Sequence, residues 1–242
     1  MLSPVSVLAW PSITKRFAVA AAQAGLDIVQ PFNVGHYNAD ASDSERLDDC
    51  GRADALGILI GNTRQLWPVF TRAYASDAAL QSSSHPLDGY VVTRLTALLS
   101  ATTHARAQLV FSHVTTPRAF PIQRLAERVG LAAVSPSHLA IHPVHGPWLA
   151  LRAVAVIDVP GPPVATQALA TPCLGCSAPC LPALERALVA SGTPLSSAAV
   201  AAHADAWIAV RDACPVGRDS RYGKAQLAYH YAPAPSRIVP ES

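Results

Sequence analysis

The chain has 242 residues, a length that can bury a large core in one domain or two. Half of the residues are hydrophobic and 14% are charged, which excludes a disordered chain. The net charge of +2 and the absence of any Lys/Arg run argue against nucleic-acid binding, and no stretch approaches the roughly 18 uninterrupted apolar residues of a membrane span.

The first segment, MLSPVSVLAWPSITKRF, has no basic start before its apolar piece. It carries Lys15-Arg16 where a cleavage site would stand, so no signal peptide is expected. Five cysteines, an odd number with four in the last third, do not read as a secreted disulfide framework. A cytoplasmic location is the resulting expectation.

Residues 12–25 predict a helix, with Ser12 as N-cap, Ile13, Phe17 and Ala24 near one face, and Gly25 as its stop. LDIVQPFNV predicts a strand broken by Pro31, and residues 55–63 a short buried strand. Residues 65–76 suit a helix with Leu66, Val69, Phe70 and Ala73 on one face. Residues 87–100 suit another, with Val91, Leu95, Leu98 and Leu99 as its stripe and Pro86 in the first turn. A strand over 107–114 and a helix over 121–130, stopped by Gly130, follow.

Two strands come next, Ser137–Ile141 and Trp148–Ile157, the second apolar enough to be buried on both faces. Between them a hairpin-like turn carries His142, His145 and Gly146-Pro147. Loops held by a rigid sheet are where binding groups collect. Residues 159–172 are Pro-rich and read as an extended connector. A smaller helical region spans 181–231 and ends in a Pro-rich tail with Arg237. Alternating strands and helices predict an α/β or α+β sheet with helices on its faces. The expected division is a core over 1–158 and, over 159–242, a connector, a cysteine cluster and a helical region packing on that core.

Two histidines three positions apart could serve a metal, but no third ligand is near in sequence, and a hydrogen-bonded structural role is the plainer reading. Trp148 suits either packing on a flat ligand or the core. Cys173, Cys176 and Cys180 lie within eight residues, and Cys214-Pro215 follows after a helix. Four thiolates could hold a 4Fe-4S cluster or a zinc; redox thiols and inert cysteines are the alternatives. Cys50 reads as incidental. Arg152 interrupts a buried strand, and a buried charge needs a partner. The sequence holds no Walker-type phosphate loop, GxSxG or HExxH, so a cofactor would carry the hard chemistry.

The segment SHLAIHPVHGPWLALRAVAVID, 137–158, resembles that of the cblC-type cobalamin-processing proteins, the MMACHC family. It has the family's His-Pro, Gly, Trp and, four positions on, Arg. QPFNVGHYN at 30–38, HPLDGYVVTRL at 85–95 and AVRDACPVGRDSRYGKAQLAYHYAPAPSRI at 209–238 resemble further family motifs in the same order. The region is more faintly similar to the corrinoid-binding core of epoxyqueuosine reductases and reductive dehalogenases.

The resemblance implies a flavin-nitroreductase-like α+β fold, a mixed sheet flanked by helices with a smaller C-terminal helical region. It implies cobalamin as the bound cofactor, held base-off near His142, His145, Gly146 and Trp148, and it admits a flavin. It further implies that Arg152, Arg211 and Arg237 hold glutathione or a similar thiol, because guanidinium forks suit carboxylates. Removal of cobalamin's upper ligand, by thiolate attack on an alkyl group or reductive loss of cyanide, is the implied activity. A corrinoid and iron-sulfur reductase and a non-catalytic cobalamin chaperone are the alternatives. Arg128 stands nearest to a histidine of the family, and the better-known animal members lack the cysteine cluster.

Overall fold

The computed structural model describes residues 9–116, 119–164 and 169–232. In chain order the elements are α1 (Trp10–Gln23), β1 (Ile28–Asn33), α2 (Val34–Asp40), β2 (Ala55–Asn62), α3 (Leu66–Ser76), α4 (Ala78–Gln81), α5 (Pro86–Thr102), β3 (Ala107–Phe111), α6 (Ile122–Arg128), β4 (Ala133–Val134), β5 (Ala140–Ile141) and β6 (Ala150–Pro160). After the connector come α7 (Cys180–Ser191), α8 (Ser197–Ala202), α9 (Ala204–Asp212), a 3-10 turn (Arg218–Ser220) and α10 (Lys224–Tyr231). None of the described helices is long and apolar enough to cross a membrane.

The main sheet has the strand order β1-β2-β6-β3, and each pairing is antiparallel. Successive side chains of a strand point to opposite faces. Over residues 55–60 of β2 and 153–157 of β6 both sets are apolar, and both are buried. Leu56, Ile58, Ile60, Ala153, Ala155 and Ile157 face one layer, where they pack against Ile13 and Phe17 of α1, Phe70 of α3 and Tyr90 and Leu95 of α5. Leu59, Val154 and Val156 face the other layer, with Phe32, Tyr37 of α2 and Leu125 and Ala126 of α6. Each fully covered large side chain contributes about 1.5–3 kcal/mol. The expected α+β class, a sheet with helices on its faces, is the architecture observed.

Several local expectations change. The first helix starts at Trp10, with Ala9 at its N-cap position and a proline in its first turn, so Ser12 lies inside it. The strand around Pro31 is unbroken, because β1 is an edge strand and a missing N–H is tolerated on the open side. Its last residues turn instead into α2, where the Asn33 side chain accepts the His36 N–H at 3.2 Å.

The two strands expected around the histidine turn belong to different sheets. β6 is already flanked by β2 and β3, so it has no free edge for β5. β5 pairs with β4 in a two-stranded sheet of its own. The connector region is followed by α7, whose first turn faces the end of α9 through Cys180, Ala183 and Val210. Tyr229 of α10 returns to the main core, and its hydroxyl accepts the Leu87 N–H at the start of α5.

Candidate functional site

The turn after β5 closes tightly on itself. His142 and Gly146 exchange backbone hydrogen bonds of 2.9 and 2.8 Å. Nδ1 of His142 accepts the N–H groups of Val144 (3.1 Å) and His145 (3.2 Å). A ring nitrogen used this way carries no proton, so the neutral ring holds its proton on Nε2. Burial, reinforced by nearby His145, lowers the His142 pKa to about 4. The two imidazoles stack at 4.7 Å, and His145 Nδ1 lies 2.9 Å from the Ser220 hydroxyl.

Two glycines let this turn meet the segment after α9. Gly146 has φ +56°, and a Cβ there would stand 2.0 Å from the Val216 carbonyl oxygen. Gly217 has φ +74°, and its Cβ would fall 2.1 Å from the His145 carbonyl carbon. Neither position has room for a side chain, and both use the left-handed region that favours glycine.

Arg152 reaches its place through a register shift. Ile60 pairs with Ala153 and Gly61 with Leu151, which leaves Arg152 unmatched on β6. Bulges of this kind re-aim a side chain out of the regular alternation. The displaced Arg152 donates from Nε to Asn62 Oδ1 at 2.6 Å, while its carbonyl accepts the Ser112 N–H. Asn62 is itself wholly buried and donates to the Thr63 carbonyl.

Arg211, on the last turn of α9, approaches from the other side. It donates from Nη1 to the Pro147 carbonyl at 2.9 Å. Both arginines line a cleft of about 300 Å³ together with Leu149, Tyr222, His230 and Tyr231. Burial raises the Tyr222 pKa, while Arg211 and Arg152 pull it down. Among the described residues no carboxylate forms an ion pair with Arg211. Asp212, its neighbour, is engaged by the fork of Arg221 at 2.6 and 2.9 Å.

Trp148 forms the wall behind this cleft rather than its surface. It is 1% exposed and packs with Tyr222 and Leu227. The guanidinium carbons of Arg211 and Arg221 lie 5.6 and 5.5 Å from its ring centroid, within cation–π range.

Cys173, Cys176, Cys180 and Cys214 line a second, smaller cavity of about 80 Å³. All four are free thiols. Cys50 lies elsewhere, buried, and donates to the Val156 carbonyl at 3.7 Å. Among the described residues no three His, Cys, Asp or Glu side chains are placed to hold one metal ion, so the His142–His145 pair has no third ligand.

Arg237 lies outside the described residues. Arg128 is occupied structurally: it pairs with Glu45 at 3.4 Å and lies over the Tyr37 ring. Asn62, Ser220, His230 and Tyr231 were not singled out in the sequence. Ser220 and Tyr222 lie within the Arg-Tyr stretch of the last motif, a signal that could have found them. Asn62 gives none, since a polar residue ending a strand usually meets water.

The fold is an α+β sandwich, a two-sided antiparallel sheet covered by helices, with the arginine cleft walled by β6, α9 and α10. No protein-family model and no curated protein matches the chain. Among solved structures it matches a B12-trafficking protein CblC of C. elegans, a human MMACHC homologue, with a TM-score of 0.67 and 18% identity. The match covers 94% of this chain and 93% of that one, so the likeness is to the whole fold.

Proposed function

We propose that this chain binds cobalamin and processes it by removing the upper axial ligand. The observation that carries the reading is the meeting of Arg152 and Arg211 in one cleft of a fold shared with a B12-trafficking protein. The two residues are far apart in the chain, and each is brought there by its own device, a bulge and a helix end. A cleft walled by two guanidinium groups and a tyrosine suits a small molecule bearing carboxylates. Glutathione, or another carboxylate-bearing thiol, is the co-substrate of that description.

The corrin would lie over the His142–Trp148 turn, where Val144 at the tip is 66% exposed and offers apolar contact. The thiol would be held beside it with its sulfur toward the upper face. Thiolate attack on an alkyl group then transfers that group to sulfur and leaves both electrons of the broken bond on cobalt. The contribution of the protein is to fix the two reactants together, replacing a bimolecular encounter.

The test is a titration of methylcobalamin followed by absorbance, then glutathione-dependent demethylation. Binding should shift the spectrum toward the base-off form. Arg152→Gln and Arg211→Gln should each weaken thiol use by about ten- to a hundred-fold, the value of one charge-assisted pair, and leave cobalamin binding nearly intact. No spectral change at tens of micromolar protein would remove the reading. Base-off binding with no ligand loss under either thiol or reduced flavin would make the protein a carrier.

A further inference from the structure

The four-cysteine cavity has no part in the chemistry above. Its thiols come from three places in the chain. Cys173 and Cys176 sit on the turn before α7, Cys180 opens α7, and Cys214 follows α9. α7 and α9 pack through Cys180, Ala183, Ala187 and Val210, small side chains that bring the start of one helix against the end of the other. The Trp207 indole N–H, donated to Ser191 at 2.9 Å, fixes the opposite end of the pair. The turn itself is shaped for the purpose of bending. The Cys176 N–H bonds the Cys173 carbonyl, Gly175 has φ +73°, and even Ala178 adopts a positive φ of 52°.

The rest of the lining is Pro136, Leu139, Ile141, Pro172, Pro179, Pro215 and other apolar groups, with two serines and no charged side chain. Such surroundings do not solvate thiolates. A ligand must therefore bring positive charge to draw four sulfurs into their ionised form, and it must be soft.

The number of metal atoms follows from the room between the thiols. A zinc ion bonds sulfur at about 2.3 Å and holds four sulfurs nearly in contact. The thiols here line a cavity of about 80 Å³, more room than one ion fills. A cubane of iron and sulfide binds each thiolate at a separate corner iron and so tolerates a wider ring.

We propose that Cys173, Cys176, Cys180 and Cys214 are the four protein ligands of an iron–sulfur cluster. The site is independent of the proposed cobalamin chemistry. It shares Ile141 and Val216 with the surroundings of the histidine turn, which places the cluster on the flank of that turn.

The experiment uses the full chain, purified without oxygen and reconstituted with ferrous iron and sulfide. The expected result is iron and acid-labile sulfide in equal amounts, a broad visible absorption that bleaches with dithionite, and an electron paramagnetic resonance signal in the reduced protein. Cys176→Ser and Cys214→Ser should lose most of the iron, and Cys50→Ser should keep it. Wild-type protein that folds but takes up no iron overturns the proposal, as does stoichiometric zinc without labile sulfide. Equal iron in the Cys214→Ser and wild-type proteins overturns it too. These readings need no cobalamin, so failure of the cobalamin reading would leave them standing.

Discussion

At the scale of single residues, Arg152 was legible because a charge in the run WLALRAVAVID breaks an otherwise apolar strand. What the sequence withheld was how the strand would accommodate it. The answer is a bulge and a buried amide, Asn62, which accepts from Nε at 2.6 Å. That bond orients the guanidinium in the cleft it lines with Arg211. Asn62→Ala should therefore cost about 1.5–3 kcal/mol, the value of a hydrogen bond to a charged group, read as a lower urea midpoint. Asn62→Asp should weaken the proposed thiol site, because the new carboxylate competes for the same cation, and it also loses the N–H donated to the Thr63 carbonyl. If both variants bind thiol equally, Arg152 does not face the ligand. Trp148 carries the opposite lesson. Its type pointed to either a ligand or the core, and its 1% exposure places it in the core wall.

At the scale of elements, the helices with a clear apolar stripe were legible to within a few residues. α3 and α5 fall close to the expected ranges because Phe70 and Leu95 and their neighbours repeat at helical spacing. α2 was not legible: VGHYNAD has no stripe, and its signal was the capping Asn33 hidden at the end of a strand. The strand expected over 137–141 shrinks to two residues. The Ser135 and Ser137 side chains bond each other, and the Ser135 hydroxyl takes the Leu139 N–H, diverting the chain from a ladder. The histidine turn depends on its seat against the segment after α9. Gly146→Ala should cost more than about 1 kcal/mol, since it combines a positive φ with a Cβ 2.0 Å from the Val216 carbonyl oxygen. Thermal melts would measure it, and hydrogen exchange should rise at His145 and Gly217 before it rises in β2. An unchanged melting temperature would mean that turn and segment separate at little cost.

At the scale of the whole molecule, the stability should fall in two stages as acid is added. His142 is the first group. Its folded pKa of about 4 lies below the ordinary histidine value of about 6.5, because its ring is buried and lies beside His145. Between those values the unfolded chain binds a proton that the folded chain refuses. Stability is therefore full above about pH 6.5 and declines as pH falls toward 4. Allowing for solvent reaching a partly exposed ring, the loss is about 1–2 kcal/mol. Glu45 is the second group. Its carboxylate, covered by its partners rather than sunk in the core, takes hydrogen bonds from Arg124 at 2.7 Å and from Ser42, and those bonds hold its pKa at about 2. Its contribution is present above the ordinary carboxylate value and is lost as pH falls through that window to about 2. The two groups share no hydrogen-bond partner, so their effects should separate. His142→Asn keeps an oxygen to accept the Val144 and His145 N–H groups but cannot titrate. Its urea midpoint should be flatter than that of the wild type between pH 6.5 and 4, with the same decline below pH 4. Glu45→Gln should start less stable at neutral pH and lose the lower stage instead. Parallel curves for wild type and His142→Asn across the upper window would mean that the turn admits the proton without cost, and that the imidazole is not held neutral by the fold.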